Sequence, residues 1–108
     1  MEQLEQLIWL IFAHFIADWA LQSEWIAMNK GKYMEIMFAH SMIWTACICI
    51  TLKYIGVFEI SMIPFLLVGH YIIDQWKCIA TSKFPSWHLY VDQLWHVFQC
   101  FTVVYLWK

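Results

Sequence analysis

Four long apolar runs separated by short polar connectors dominate the chain, at about 4–22, 34–55, 58–80 and 87–107. Each is close to the roughly 20 residues that carry an α-helix across a bilayer core. Strands are excluded by the run length, by the lack of in–out alternation, and because four strands cannot close a barrel. The pattern predicts an all-α membrane protein: a four-transmembrane-helix bundle forming one domain. Ser23 to Tyr33 predicts an interfacial helical turn with Trp25, Ile26 and Met28 at the headgroup boundary. Gly56 predicts the middle turn, and Pro85 with Ser86 as a helix N-cap predicts the last. Trp and Tyr crowd the run ends, as an interfacial belt does.

The polar positions inside the runs recur at one offset. His14 and His70 are 56 residues apart, as are Asp18 and Asp74, and His40 and His96. Leu10 with Leu66 and Ile16 with Ile72 keep the same offset without gaps. The reading is a duplicated two-helix hairpin, giving two parallel repeats about an axis along the membrane normal.

Composition sharpens this picture. With 63% apolar and 13% charged residues, the chain lacks the charged skin of a soluble domain, so the lipid bilayer is its expected partner. A net charge of -2 with no basic stripe excludes nucleic acid. Lys30, Lys32, Lys77 and Lys83 lie in or beside connectors one and three. The positive-inside rule therefore puts those connectors in the cytoplasm and both termini outside. The first run has no basic residue ahead of it and is long for a cleaved leader, so it is expected to be retained. Cys47, Cys49, Cys78 and Cys100 lie within or at the ends of apolar runs and read as small apolar fillers, not a disulfide framework.

The chemistry resides in the ionisable groups. Each costs on the order of 3 kcal/mol to place in hydrocarbon, so they must face the bundle interior. His14 and Asp18, His70 and Asp74, and Asp92 and His96 are each four residues apart, one turn along one helical face. His40 adds one group from the second helix. Helix directions bring all seven to the slab nearest connectors one and three. Imidazole and carboxylate from facing helices hold Zn, Mn or Fe in bundles. His14, Asp18, His40, His70, Asp74 and His96 are the expected ligands of one or two divalent ions. Asp92 breaks the repeat, matched by Ile36, and is the expected catalytic base or bridging ligand. Gln22 and Gln93 are expected to hydrogen-bond to the ligands and orient them. His88, Glu24, Glu35 and Glu59 read as interfacial or solvated. A set of neutral hydrogen bonds gluing the helices is the alternative to a metal site.

The sequence resembles a family of small bacterial and phage membrane proteins known only as a domain of unknown function. The resemblance runs through HFIADWALQ (His14 to Gln22), WIAMNKGK (Trp25 to Lys32), Ala39-His40, GHYIID (Gly69 to Asp74) and DQLWH (Asp92 to His96). More distantly, the HxxxD pattern is similar to that of bacterial membrane-bound hydrolases described as metal-dependent. The resemblance implies a metal site and a place in the bacterial, or phage-infected bacterial, inner membrane. It supplies no substrate.

The leading expectation is a metal-dependent hydrolase that attacks an ester or phosphoester of a lipid or lipid-linked substrate at the cytoplasmic side. Three alternatives stand beside it. One is a small transporter or ion-conducting homo-oligomer using His and Asp as a relay. Another is a phage-type interaction or pore-forming protein with no chemistry. A b-type cytochrome is the third, disfavoured because haem ligation does not require a carboxylate one turn from His.

Overall fold

The computed structural model describes residues 2–81 and 87–107. All regular structure among them is helical. Helix α1 (Gln3–Phe15) passes without a break into π-helical turns at Ile16–Ala20. A short helix, α2 (Glu24–Asn29), follows, with the Ser23 hydroxyl accepting the Ile26 backbone N–H at 3.1 Å as its N-cap. Helix α3 covers Met34–Ile55. Helix α4 covers Met62–Thr81, and α5 (Trp87–Phe101) continues into π-helical turns at Thr102–Leu106.

Local chemistry accounts for the boundaries. Gly56 ends α3 at φ 87°, a left-handed conformation that favours glycine. There Gly56 and Val57 both donate their N–H to the Leu52 carbonyl, at 3.0 and 3.1 Å. The third helix begins later than its apolar run. Phe58 to Ser61 form turns in which Glu59 and Ile60 accept from Met62 and Ile63. Pro64 then sits in the first helical turn, where its missing N–H costs nothing. The expected Pro85 stop and Ser86 cap, with Lys83, lie outside the described residues.

Helix α3 packs against α1 and α4, and α5 packs against α4 and α1, so the four long helices close a ring. The bundle measures 42 × 25 × 23 Å. Its inside and outside invert the usual order. Buried polar and charged side chains outnumber buried apolar ones among the described residues, while large apolar side chains crowd the exterior, including Trp9, Phe12, Ile50 and Ile72. The apolar core, Leu10, Ile48, Leu52, Met62, Leu66, Cys100 and Val103, fills the end near Gly56 and reaches the polar slab through Ala13, Ala17 and Trp44.

Among the described residues one helix, Met34–Ile55, is long and apolar enough to cross a membrane by length and composition. The others fall short for visible reasons. Regular α-helix in α1 and α5 stops at 13 and 15 residues, where the π-helical turns begin. Helix α4 spends its last turns on Asp74, Gln75 and Lys77.

Candidate metal centre

The end of α1, the start of α3, the end of α4 and the start of α5 meet in one slab, and α2 lies alongside. Asp18 projects from the π-helical turns of α1, a distortion common at functional sites. His40 and Ser41 come from α3, His70 and Asp74 from α4, Asp92 and His96 from α5. All seven are buried, none more than 6% exposed.

His40 Nε2 sits 3.1 Å from both Asp18 Oδ1 and Asp74 Oδ2. His70 Nε2 is 3.4 Å from the same Asp18 oxygen. Ligand atoms around a tetrahedral ion with bonds of about 2.0–2.1 Å lie roughly 3.3 Å apart, so these separations suit a common ion. Asp18, His40, His70 and Asp74 each offer an atom within 4.8 Å of the others, and so do Asp18, Asp92 and His96. Asp18 belongs to both groups.

Hydrogen-bond logic sharpens the geometry. The Trp44 indole can only donate, and it does so to His14 Nδ1 at 2.9 Å. A neutral His14 therefore carries its proton on Nε2 and donates it to Gln93 Oε1 at 2.8 Å. The oriented Gln93 amide then donates to Asp18 Oδ2 at 3.1 Å and Asp92 Oδ2 at 2.9 Å. This chain leaves the Oδ1 atoms of both carboxylates facing the cluster.

A second chain aims His96. The Gln99 amide nitrogen donates to the Phe65 and Leu66 carbonyls, which turns Gln99 Oε1 towards His96 Nδ1 at 3.4 Å. When Nδ1 carries the proton it donates to Gln99, and the Nε2 lone pair faces Asp92 Oδ1, 3.1 Å away. Neither of those two atoms has a hydrogen-bond partner, nor does His70 Nε2 or Asp74 Oδ1. A lone pair facing a carboxylate oxygen in a buried site repels unless a cation lies between them.

Two lysines complete the electrostatics. Lys30 reaches in beside α2, with Nζ 2.8 Å from Asp74 Oδ2 and 2.6 Å from Gln22 Oε1. Lys77 Nζ lies 3.3 Å from both Asp74 Oδ1 and Asp92 Oδ2. With neutral imidazoles, three carboxylates against two ammonium groups leave one negative charge in excess.

Several expectations change here. His14 stands outside both ligand groups, because Trp44 and Gln93 engage its two nitrogens. Asp92 joins His96 and Asp18 in the second group. Gln22 holds Lys30, and Gln93 bridges three expected site residues. His88 is 2% exposed and stacked on Trp87 with ring centroids 3.8 Å apart. Glu59 accepts a hydrogen bond from the Trp107 indole at 2.8 Å. Lys30 and Lys77, counted above as topology markers, are committed to the site. Ser41, Trp44 and Gln99 went unread; their signal was spacing, each within four residues of a site His on the same helix.

A helical bundle that buries a His/Asp cluster able to hold a metal ion defines the class of protein. Over residues 6–108 the chain matches, and belongs to, the family described as "Protein of unknown function (DUF3307)". No curated protein and no solved structure matches it.

Proposed function

We propose that the protein is an integral membrane, divalent-metal-dependent hydrolase. The observation that carries the metal is the pair of close ligand groups that share Asp18, one with His40, His70 and Asp74 and the other with Asp92 and His96, in which His96 Nε2 and Asp92 Oδ1 lie 3.1 Å apart with no hydrogen-bond partner. Asp18, His40, His70 and Asp74 would hold Zn, Mn or Fe. Asp92 and His96 share either a proton or, with Asp18, a second ion. Such an ion supplies Lewis acidity and makes bound water a nucleophile near neutral pH.

The membrane assignment rests on the inverted bundle. Polar interior and apolar exterior suit a hydrocarbon surround, in which four spans satisfy their ionisable groups inside. The ring order of the helices is also what two parallel hairpin repeats about a two-fold axis require, since that axis exchanges α1 with α4 and α3 with α5. In this reading the metal lies at the cytoplasmic end of the bacterial inner membrane with both termini outside; the support is that all four lysines in or beside connectors one and three, Lys30, Lys32, Lys77 and Lys83, fall at that end, against Lys53 and Lys108 at the other.

In the proposed reaction, water forms the new bond to the carbonyl or phosphoryl centre of a lipid or lipid-linked ester. Asp92 Oδ1, which has no hydrogen-bond donor, takes the water proton. The ester C–O or P–O bond breaks, and the departing oxygen leaves with a proton from Lys77 or solvent. Gln93 and Gln99 keep Asp92 and His96 aimed throughout.

A second reading is a proton or metal relay, favoured by the ion pairs of Lys30 and Lys77, which neutralise most of the carboxylate charge without a metal. Elemental analysis of protein extracted in mild detergent separates the two. Stoichiometric Zn, Mn or Fe is expected; folded, metal-free protein sinks the hydrolase and leaves the relay.

A further inference from the structure

Beside the cluster a cleft of about 500 Å³ opens, lined by Gln22, Met28, Lys30, Gly31, Lys32 and Lys77. A smaller cavity of about 60 Å³ reaches Asp18 and Gln93, and it too is lined by Gln22, Lys30 and Lys77. Those three residues therefore form the wall that the two spaces share. The outer volume falls within the range of small-molecule sites and is large enough for a headgroup.

We infer that this cleft binds a phosphate group, carried on a lipid headgroup or on a soluble molecule, and that binding requires the metal. The inference rests on the metal-site reading and adds a substrate class to it. Lys30, Lys32 and Lys77 offer three separate ammonium groups at one cleft, which suits an anion with several charged oxygens better than a single carboxylate. Lys30 is 4% exposed, an unusual place for a lysine, and it stands on the wall between cleft and cluster. Without a metal the Lys30 and Lys77 ammonium groups are paired with Asp74 and Asp92, which leaves Lys32 alone to meet an anion. A divalent ion held by those carboxylates would take over their charge and free both ammonium groups for the phosphate. Metal and phosphate should then strengthen each other's binding by the same factor, as linkage demands.

Location fits a headgroup source. The cleft lies beside α2, whose Trp25 and Met28 are 60% and 63% exposed, as side chains resting on a membrane surface would be.

The test uses the full chain in mild detergent. Its metal content is measured first, so that a failure of the metal site is seen separately from a failure of the cleft. Binding of inorganic phosphate is then measured on metal-loaded and chelator-treated protein, and binding of phosphatidate in mixed micelles is measured against a neutral lipid of the same acyl chains. At least a tenfold preference of phosphate for the loaded form is expected. Binding of inorganic phosphate identifies a soluble source, and binding of phosphatidate alone of the probes identifies a headgroup; either supports the proposal. Lys32, an exposed rim residue, provides a variant that leaves the interior intact. Lys32→Gln should weaken binding about three- to fivefold, the worth of one exposed charge contact, with metal content unchanged. Metal-loaded protein that binds neither probe, or binds equally well after chelation, overturns the cleft assignment while leaving the metal site standing.

Discussion

Near Gly56, the bundle is closed by Ile48, Leu52, Met62, Leu66 and Val103, on which further apolar side chains such as Leu7, Phe58 and Val104 pack. At the α2 end the same four long helices meet through Asp18, His40, His70, Asp74, Asp92 and His96, every one buried. The apolar end has many acceptable solutions, since van der Waals packing is non-directional and tolerates volume-conserving exchange. The polar end has few. Each of its atoms must find a partner of the right kind and direction, and His96 Nε2 and Asp92 Oδ1, which have no hydrogen-bond partner, face each other. Within one bundle, stability and chemistry are thus assigned to opposite ends, and the comparison can be broken from either side.

The largest effect is expected at Asp18, the ligand shared by both groups. Asp18→Asn keeps the shape but removes the charge, and its amide brings an N–H towards His40, His70 or Gln93. Metal retention should fall by at least about a hundredfold, the outer limit for losing a mere orienting partner. Metal titration on purified variant and parent measures this. Retention of metal at the parent's affinity would mean that Asp18 is not a ligand, and the shared-centre geometry would fail with it.

Leu52→Ala makes the reciprocal cut at the apolar end. Leu52 is fully buried, and truncation should cost about 2–5 kcal/mol of stability. Unfolding in detergent reads that loss, while the metal affinity of the folded fraction stays at the parent value. A parallel fall in metal affinity would show the two ends to be coupled, contrary to the division drawn above.

The same division explains which features are legible in the amino-acid sequence. Apolar patterning located α3 at its observed limits, Met34–Ile55, because a long uninterrupted run admits one reading. Spacing and helix direction brought Asp18, His40, His70, Asp74, Asp92 and His96 to one depth, because i, i+4 pairs share a face in any helix. What remained hidden depends on contacts between elements. Lys30 sits in a connector, where lysines ordinarily point to water; only the docking of α2 lets its long stem reach Asp74. His14 matches His70 in the repeat, yet Trp44 donates to one and Ser41 meets the other, so equivalent positions take different roles. The π-helical turns at Ile16–Ala20 carry no residue type that marks them.

Gln99 offers the finest cut, since it touches the site only through His96. It fits because Gly69 has no side chain: a Cβ there would lie 2.2 Å from Gln99 Nε2. Its amide is held by two α4 carbonyls, and that orientation presents an acceptor to His96 Nδ1, in competition with the Asp92 carboxylate at Nε2. Gln99→Leu keeps nearly the same volume and removes that acceptor, freeing His96 to turn its protonated nitrogen towards Asp92. Metal affinity should then fall about 10–100-fold, the usual cost of losing an orienting partner behind a ligand. Stability should change by no more than about 1 kcal/mol, because one hydrogen-bonding side chain is exchanged for an apolar one of similar shape. A merely structural Gln99 would give the opposite pattern, with the unfolding midpoint moved and the metal titration unchanged.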